Sequence, residues 1–304
     1  MTRLLTRADV ASLLTLEDCL SAVEEAFRGD AASAKSLGFH AAAGTFHIKA
    51  AMGDVFATKI NANFPGNPSG PTIQGVIVVM DLGRGTPLAI LDSGLITTMR
   101  TAAATAVAVR HLARGDATTL TIIGCGVLGR ATLDALKLVR PLSGVWAWDV
   151  SHAAASRLGR VPDSLDEAIA SSDIVVTCTT SRSPILDAHH LHPGLFIAAT
   201  GADNPQKQEL APSVLAQSKV VVDVLEQAAT MGDLHHALHA GVMTREDVHG
   251  ALGDVLHGRV PGRVHDDEVF VFDSTGTALQ DVAVASLAYA RAVQRGVGLD
   301  IALS

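Results

Sequence analysis

The sequence predicts an α/β protein with a doubly wound parallel sheet in one domain and a smaller α+β domain beside it in the chain. Three observations carry that prediction. From residue 119 onward, short continuous apolar runs alternate with helical segments, as strands buried on both faces of a parallel sheet do. Between the first two runs lies a glycine-rich turn, Gly124-Cys125-Gly126-Val127-Leu128-Gly129. Residues before 93 keep a different rhythm, with half-polar strands broken by Gly, Pro and Asn.

The elements follow in order. Thr15 is placed to cap a helix through LEDCLSAVEEAFRG, where Leu16, Leu20, Val23 and Phe27 recur at helical spacing and Gly29 marks the end. Residues 45–50 and 55–60 read as strands separated by Gly44 and Gly53. The tract NANFPGNPSGPT reads as a loop. A strand IQGVIVVMD, a turn LGRGT and a strand PLAILD complete an antiparallel sheet with helices. Residues 93–113 read as one long helix, with Gly115 just past its end. A domain boundary is expected near residue 115. The strands of the second domain are TLTIIG, VWAWD, DIVVTCT, LFIAATG, KVVVD and VFVFDSTG, and a last helix occupies TALQDVAVASLAYARAVQRG.

Composition narrows the function. The 304 residues are 48% hydrophobic, enough to bury a core and to build two domains. The net charge of −8 and the lack of a long basic run argue against a nucleic-acid partner. Cys19, Cys125 and Cys178 are odd in number and widely spaced, which fits a reduced compartment and no disulfide framework. The N-terminus carries Asp9, Glu17 and Asp18 and no small-residue cleavage site, so no signal peptide is read. The strongest apolar helical run, 101–109, lies between Arg100 and Arg110, far short of the roughly 20 residues that span a bilayer. A cytoplasmic protein without a membrane partner is expected.

The glycine turn follows a strand and opens a helix read at 130–139, the context that makes GxGxxG a Rossmann-type dinucleotide motif. Gly124 permits the tight turn, Gly126 lets the backbone approach a pyrophosphate, and Gly129 allows close helix–strand packing. Val127 and Leu128 contribute helix N-terminal N–H groups to the phosphates. Asp149 ends the next strand, where a carboxylate accepts hydrogen bonds from a ribose 2′-OH and repels a 2′-phosphate. NAD is therefore the expected cofactor, with NADP left open by His152 and Arg157 close behind.

Five segments, the glycine turn among them, resemble the ornithine cyclodeaminase/μ-crystallin family, in order and over nearly the whole chain. They are ATKINANFPGN with PTIQGVIVVMD (57–81), ITTMRTAAATAVAVRHLAR (96–114), IGCGVLGR, GADNPQKQEL (201–210) and VFDSTGTALQDVAVA (271–285). The resemblance implies a homodimer of two-domain chains. Residues 1–115, completed by the C-terminal helix at 277–304, would bind substrate and dimerise, and 116–276 would bind NAD. It also implies chemistry at the α-carbon of a small amino or imino acid.

The resemblance assigns roles residue by residue. Arg100 becomes the clamp for the substrate carboxylate, beside the cofactor, since a guanidinium grips a carboxylate through two parallel bonds. Lys59, in phase with Ala57 on its strand, becomes a substrate contact that binds the carboxylate or shuttles a proton if burial lowers its pKa. Asp203, just past a strand's carboxyl end, becomes the general acid/base at the substrate nitrogen. Lys207 would touch cofactor or substrate, with Gln206 standing where the family usually has Gly. Thr72 and Ser274 would lie near the nicotinamide, and Thr179 on the adenosine side. The family's second carboxylate-binding arginine has no clean match, which leaves Lys35 and Lys49 as basic candidates.

Two features receive no chemistry. His235 and His239 are four apart but lack a third ligand, so they read as ordinary helix residues and no metal site is expected. Cys125 lies at a helix N-terminus, a position that can lower a thiol pKa, but bound cofactor would cover it. The function expected is NAD-dependent hydride transfer at the α-carbon of an amino or imino acid, by a dehydrogenase or an imine reductase. The alternative is redox-neutral cyclodeamination of ornithine to proline and ammonia. A crystallin-like binding protein is a third reading, set back by the presence of Lys59, Arg100 and Asp203 together.

Overall fold

The computed structural model describes residues 1–29, 33–64, 67 and 70–303. In chain order the strands and α-helices are β1 (Thr2–Leu5), α1 (Arg7–Leu13), α2 (Leu16–Phe27), β2 (Lys35–Ala41), β3 (Gly44–Met52), β4 (Phe56–Asn63), β5 (Ile73–Met80), β6 (Pro87–Asp92) and α3 (Ser93–Leu112). There follow β7 (Thr119–Ile123), α4 (Val127–Leu136), β8 (Gly144–Trp148), α5 (His152–Ser156), α6 (Leu165–Ala170), β9 (Ile174–Thr177), β10 (Arg182–Leu186), β11 (Phe196–Ala199) and β12 (Gln208–Leu210). The remainder are α7 (Pro212–Ala216), β13 (Lys219–Val222), α8 (Leu225–Ala228), α9 (Gly232–His239), β14 (Gly250–Ala251), α10 (Leu252–Leu256), β15 (Phe270–Asp273), α11 (Ala278–Arg295) and β16 (Leu299–Ile301). Among the described residues, no helix is long and apolar enough to cross a membrane.

The chain forms two compact units, residues 1–100 with 277–304 and residues 101–276. The division falls within α3, which continues unbroken through Arg100 and Thr101.

In the first unit a seven-stranded sheet runs in the order β16-β1-β6-β5-β4-β3-β2. Strands β2 to β6 are antiparallel neighbours, while β1 lies parallel to β6 and antiparallel to β16. Helix α11 packs on β3 and β4 and against α2. Thr15 caps α2 as its position predicts: its hydroxyl accepts from the Asp18 N–H, and Asp18 accepts from the Thr15 N–H in return. Asp18 also receives both Nη atoms of Arg291, which pins α2 to α11.

The second unit holds a seven-stranded, all-parallel sheet in the order β14-β13-β15-β11-β9-β7-β8. From β7 the chain steps to β8 on one side and then returns to β9 on the other. That reversal makes a crevice at the carboxyl ends of β7 and β9, where open α/β sheets bind ligands. Strands β9, β11 and β15 are buried along their whole length, which is why they read as continuous apolar runs. Helix α4 begins at Val127, earlier than the 130 read from sequence, because Gly126 already serves as its N-cap.

Candidate active site

In the first unit, the register of β3 and β4 sets Lys49 directly opposite Lys59, so both side chains leave the same face of the sheet. Helix α11 covers that face with Asp281. Lys59 Nζ lies 2.6 Å from Asp281 Oδ2, and Arg100 Nε donates to Asp281 Oδ1 at 3.0 Å. Arg100 Nη1 also donates to Gln280 Oε1 at 3.0 Å. Lys59 reaches Thr97 Oγ1 at 3.4 Å, and Asn61 shares that hydroxyl at 3.3 Å. The four charged groups are nearly closed to solvent: Lys49 is 6% exposed, Lys59 2%, Arg100 6% and Asp281 2%.

Three cations thus surround one carboxylate. Burial pushes the Lys59 ammonium down to about 7; Asp281 opposes the shift, while Arg100 and Lys49 add to it. For Asp281, burial favours the neutral acid, but Lys59 and Arg100 outweigh it and hold the carboxyl below its usual range. Lys35 pairs with Ala50, one position out of phase with Lys49, and is exposed, so it does not join this group. Asp281 had no assigned role in the sequence reading. An acid in the helical run QDVAVA reads as a solvated position, although Ala278, Asp281, Val282, Ala285, Ala288 and Ala292 share one buried face.

In the second unit, a cavity of about 520 Å³ opens at the ends of β7, β8 and β9, lined among others by Gly124, Gly126, Asp149, Thr179 and Ser181. The three glycines divide their work as the motif requires. Gly124 has φ +95°, a conformation that favours glycine. A Cβ on Gly129 would lie 2.2 Å from Gly124 O, so only glycine lets α4 approach the turn. A Cβ on Gly126 would meet nothing within 4 Å, which leaves room for a ligand's phosphates. No side chain caps the first N–H groups of α4, at Val127, Leu128 and Gly129, so they are available to an anion. These features fit a dinucleotide. Asp149 Oδ2 accepts from Cys125 N, and Oδ1 from Ser151 N, both at 2.7 Å, which ties the acid to the turn. Burial, with Asp149 adding to it, pushes the Cys125 thiol up to about 11, so the helix N-terminus does not activate it.

The loop after β11 carries Asp203, whose Oδ1 accepts from Lys207 Nζ at 2.7 Å and from Asn204 Nδ2 at 3.2 Å. Lys207 Nζ also donates to Gly201 O at 3.1 Å. Its partner in this structure is therefore Asp203 itself. Gln206 is accommodated because no non-glycine residue here needs a positive φ, and its N–H donates to Asn204 Oδ1. Ser274 is buried and its hydroxyl has no hydrogen-bond partner among the described residues. Thr72 is exposed beside the loop that follows β4. His235 and His239 lie on α9, His235 bonding to Ala229 O.

Glu209 is a second residue to which the sequence reading gave no role. Its fully buried carboxylate accepts from Thr177 Oγ1, Thr179 N, Thr179 Oγ1 and Gly201 N, at 2.6 to 2.7 Å. It thereby joins the cavity wall at Thr179 to the base of the Asp203 loop.

The chain matches the ornithine cyclodeaminase/mu-crystallin family over residues 1–296. It is 37% identical to the alanine dehydrogenase of Archaeoglobus fulgidus over 318 residues, covering 99% of this chain and 98% of the other. An archaeal alanine dehydrogenase dimer with bound NAD superposes with a TM-score of 0.96 at 36% identity, covering 100% and 99%. The Δ1-pyrroline-2-carboxylate reductase of Thermococcus litoralis, in complex with NADH and L-proline, gives 0.93 at 28% identity, covering 99% and 100%. The match takes in the first unit's lysines as well as the glycine turn, and the chain belongs to the ornithine cyclodeaminase/mu-crystallin family.

Proposed function

We propose that the protein is an NAD-dependent oxidoreductase that interconverts an α-amino acid and its α-imino acid. The observation that carries this reading is the group of buried Lys49, Lys59 and Arg100 side chains beside the carboxylate of Asp281. A substrate carboxylate entering there would meet cationic groups that are already desolvated and positioned. Relatives that act on alanine, on pyrroline-2-carboxylate and on iminosuccinate support an α-carboxylate beside the reacting nitrogen.

The residues then divide the work. Gly124, Gly126, Val127, Leu128 and Gly129 receive the pyrophosphate on backbone N–H groups, and Asp149 takes the ribose hydroxyls, which favours NAD over NADP. When bound, the nicotinamide accepts a hydride from the substrate carbon or returns one to it. Lys59, Arg100 and Lys49 fix the carboxylate and so hold the α-carbon in one orientation, a proximity effect. Asp203 takes a proton from the nitrogen in the oxidative direction and returns it in the reductive one. Lys207 orients Asp203. Thr179 and Ser274 contribute to the cofactor side, and Thr72 is assigned a role toward the cofactor by the family resemblance alone.

The working form is a homodimer in which a second copy covers the far face of the first unit's sheet. There Leu37, Ile48, Ile60 and Val76 stand directly opposite one another across four strands, and Leu37, Ile60 and Val76 are exposed in the single chain.

The test is to incubate the enzyme and NAD with L-alanine, L-proline, L-aspartate and L-ornithine and to follow NADH. We expect NADH from at least one amino acid and its consumption when the matching imino acid is supplied. Conversion of ornithine to proline and ammonia without NADH accumulation, or no turnover of any substrate, would overturn the reading.

A further inference from the structure

We propose that Asp166, His189 and His190 form a binding site for a first-row divalent cation, zinc foremost, which fastens α6 to the turn that precedes β11. Asp166 lies on α6, and the two histidines lie on a short 3₁₀ turn, Ala188–His190. One carboxylate oxygen, Asp166 Oδ1, is 2.9 Å from His190 Nε2 and 3.6 Å from His189 Nε2. All three donor atoms lie within 4.8 Å of one another. A tetrahedral ion with bonds of about 2.0–2.1 Å spaces its ligands roughly 3.3–3.4 Å apart, so the two measured distances bracket the required value. A small movement of exposed side chains closes the difference.

The outer contacts match those of metal-binding histidines. His189 Nδ1 lies 3.0 Å from Asp187 Oδ1, and His190 Nδ1 lies 3.2 Å from Asp187 O. A carboxylate and a backbone carbonyl are the usual partners that hold the proton on one nitrogen and leave the other free to ligate. His190 Nδ1 is also 3.0 Å from Asp187 N, which sets a metal-free alternative: the backbone N–H donates to Nδ1, and Nε2–H donates to Asp166. Cation binding at Nε2 needs the other tautomer, with Nδ1–H turned away from Asp187 N–H and donated to Asp187 O. Charge closes as well, since Asp166 and Asp187 together balance a divalent ion beside two neutral imidazoles. The two rings lie tilted to one another, 3.9 Å between centroids.

Imidazole and carboxylate donors suit zinc, nickel, cobalt or copper better than calcium or magnesium. Asp166 and His189 are exposed, so an ion has an entry path and water can complete the coordination. Unlike His235 and His239, which share one helix, the cluster joins residues 24 apart, His190 and Asp166, on different elements.

The experiment uses untagged, full-length protein stripped with a chelator. Zinc chloride is titrated by calorimetry, and cobalt chloride by visible absorption. We expect one ion per chain, a higher melting temperature with zinc, and intense tetrahedral-type cobalt bands. His189→Ala removes an exposed side chain and should weaken binding at least tenfold while circular dichroism and amino-acid turnover stay as in wild type. Asp187→Asn keeps a capping oxygen and should weaken binding by about 10–100-fold through the loss of the outer carboxylate. His239→Ala should bind as wild type does. No saturable binding, binding unchanged in His189→Ala, or binding lost in His239→Ala would each overturn the site and leave the cluster a hydrogen-bonded clip.

Discussion

Lys59 shows what burial does to a single ammonium. A substrate carboxylate pairs best with the charged form, and burial has brought the Lys59 pKa to about 7, so the KM for the amino acid should rise as pH passes through that value. Asp281 opposes the shift. Asp281→Asn should therefore push the Lys59 pKa lower, move the limb to more acidic pH and raise KM at neutrality. Initial rates against pH for both proteins decide it, and a limb that stays in place would show that Asp281 does not hold the proton on Lys59. The same group links pH to stability. Its folded pKa lies below the ordinary lysine value of 10.5, so stability grows as pH rises from about 7 to 10.5 and is flat below that window. Asp203 allows a second test: Asp203→Asn should lower kcat by about 10²–10⁴ with NAD still bound, and near-normal kcat would remove it from acid/base duty. The buried face of Lys59 was legible from its phase with Ala57. Asp281 was not, because only the packing of α11 on β3 and β4 brings a distant helical acid to that lysine.

At the scale of elements, the strand–turn–helix from β7 to α4 makes a prediction that separates folding from binding. Gly126 has φ −76° and open space where a Cβ would stand, so Gly126→Ala should fold with an unchanged melting temperature. The added methyl occupies the room needed by the phosphates, and the Kd for NAD should rise at least about tenfold, a loss of roughly 1.4 kcal/mol. Gly129→Ala is different. Its Cβ meets a backbone oxygen that cannot swing away, so α4 must shift, and both stability and NAD binding should fall. Thermal melts paired with NAD titrations test the contrast; equal destabilisation by both substitutions would contradict it. This element was readable because each glycine answers to a local demand. The same holds for β7, β9, β11 and β13, whose continuous apolar runs need no partner to be recognised. Strands β1, β2 and β16 escaped notice for the opposite reason. They are short or largely exposed, and β1 exists through pairing with β6 and with residues 299–301 at the far end of the chain, contacts that no local pattern encodes.

For the whole molecule, the first unit's sheet presents two faces that water should not both reach. One carries Lys49 and Lys59 beneath α11; the other carries Leu37, Ile48, Ile60 and Val76 in a line across β2 to β5. Lys59 and Ile60 are neighbours in β4 and point to opposite faces, so whatever covers the apolar line also braces the strand that holds the lysine. A second copy of the chain, as proposed above, would meet that need with a self-matching surface, as two-fold pairs do. Ile60→Glu combined with Val76→Glu tests this. Both side chains are exposed in the single chain, at 41% and 40%, so each replacement should change monomer stability by no more than about 0.5 kcal/mol, with a further cost of about 0.2–1 kcal/mol because the two carboxylates stand directly opposite. In a dimer the carboxylates would be buried unpaired and association should fail. Sedimentation velocity should show a dimer for wild type and a folded monomer for the variant, with a higher KM for the amino acid as β4 loses its brace. A monomeric wild type, or a variant that still dimerises, would move the partner surface elsewhere on the chain.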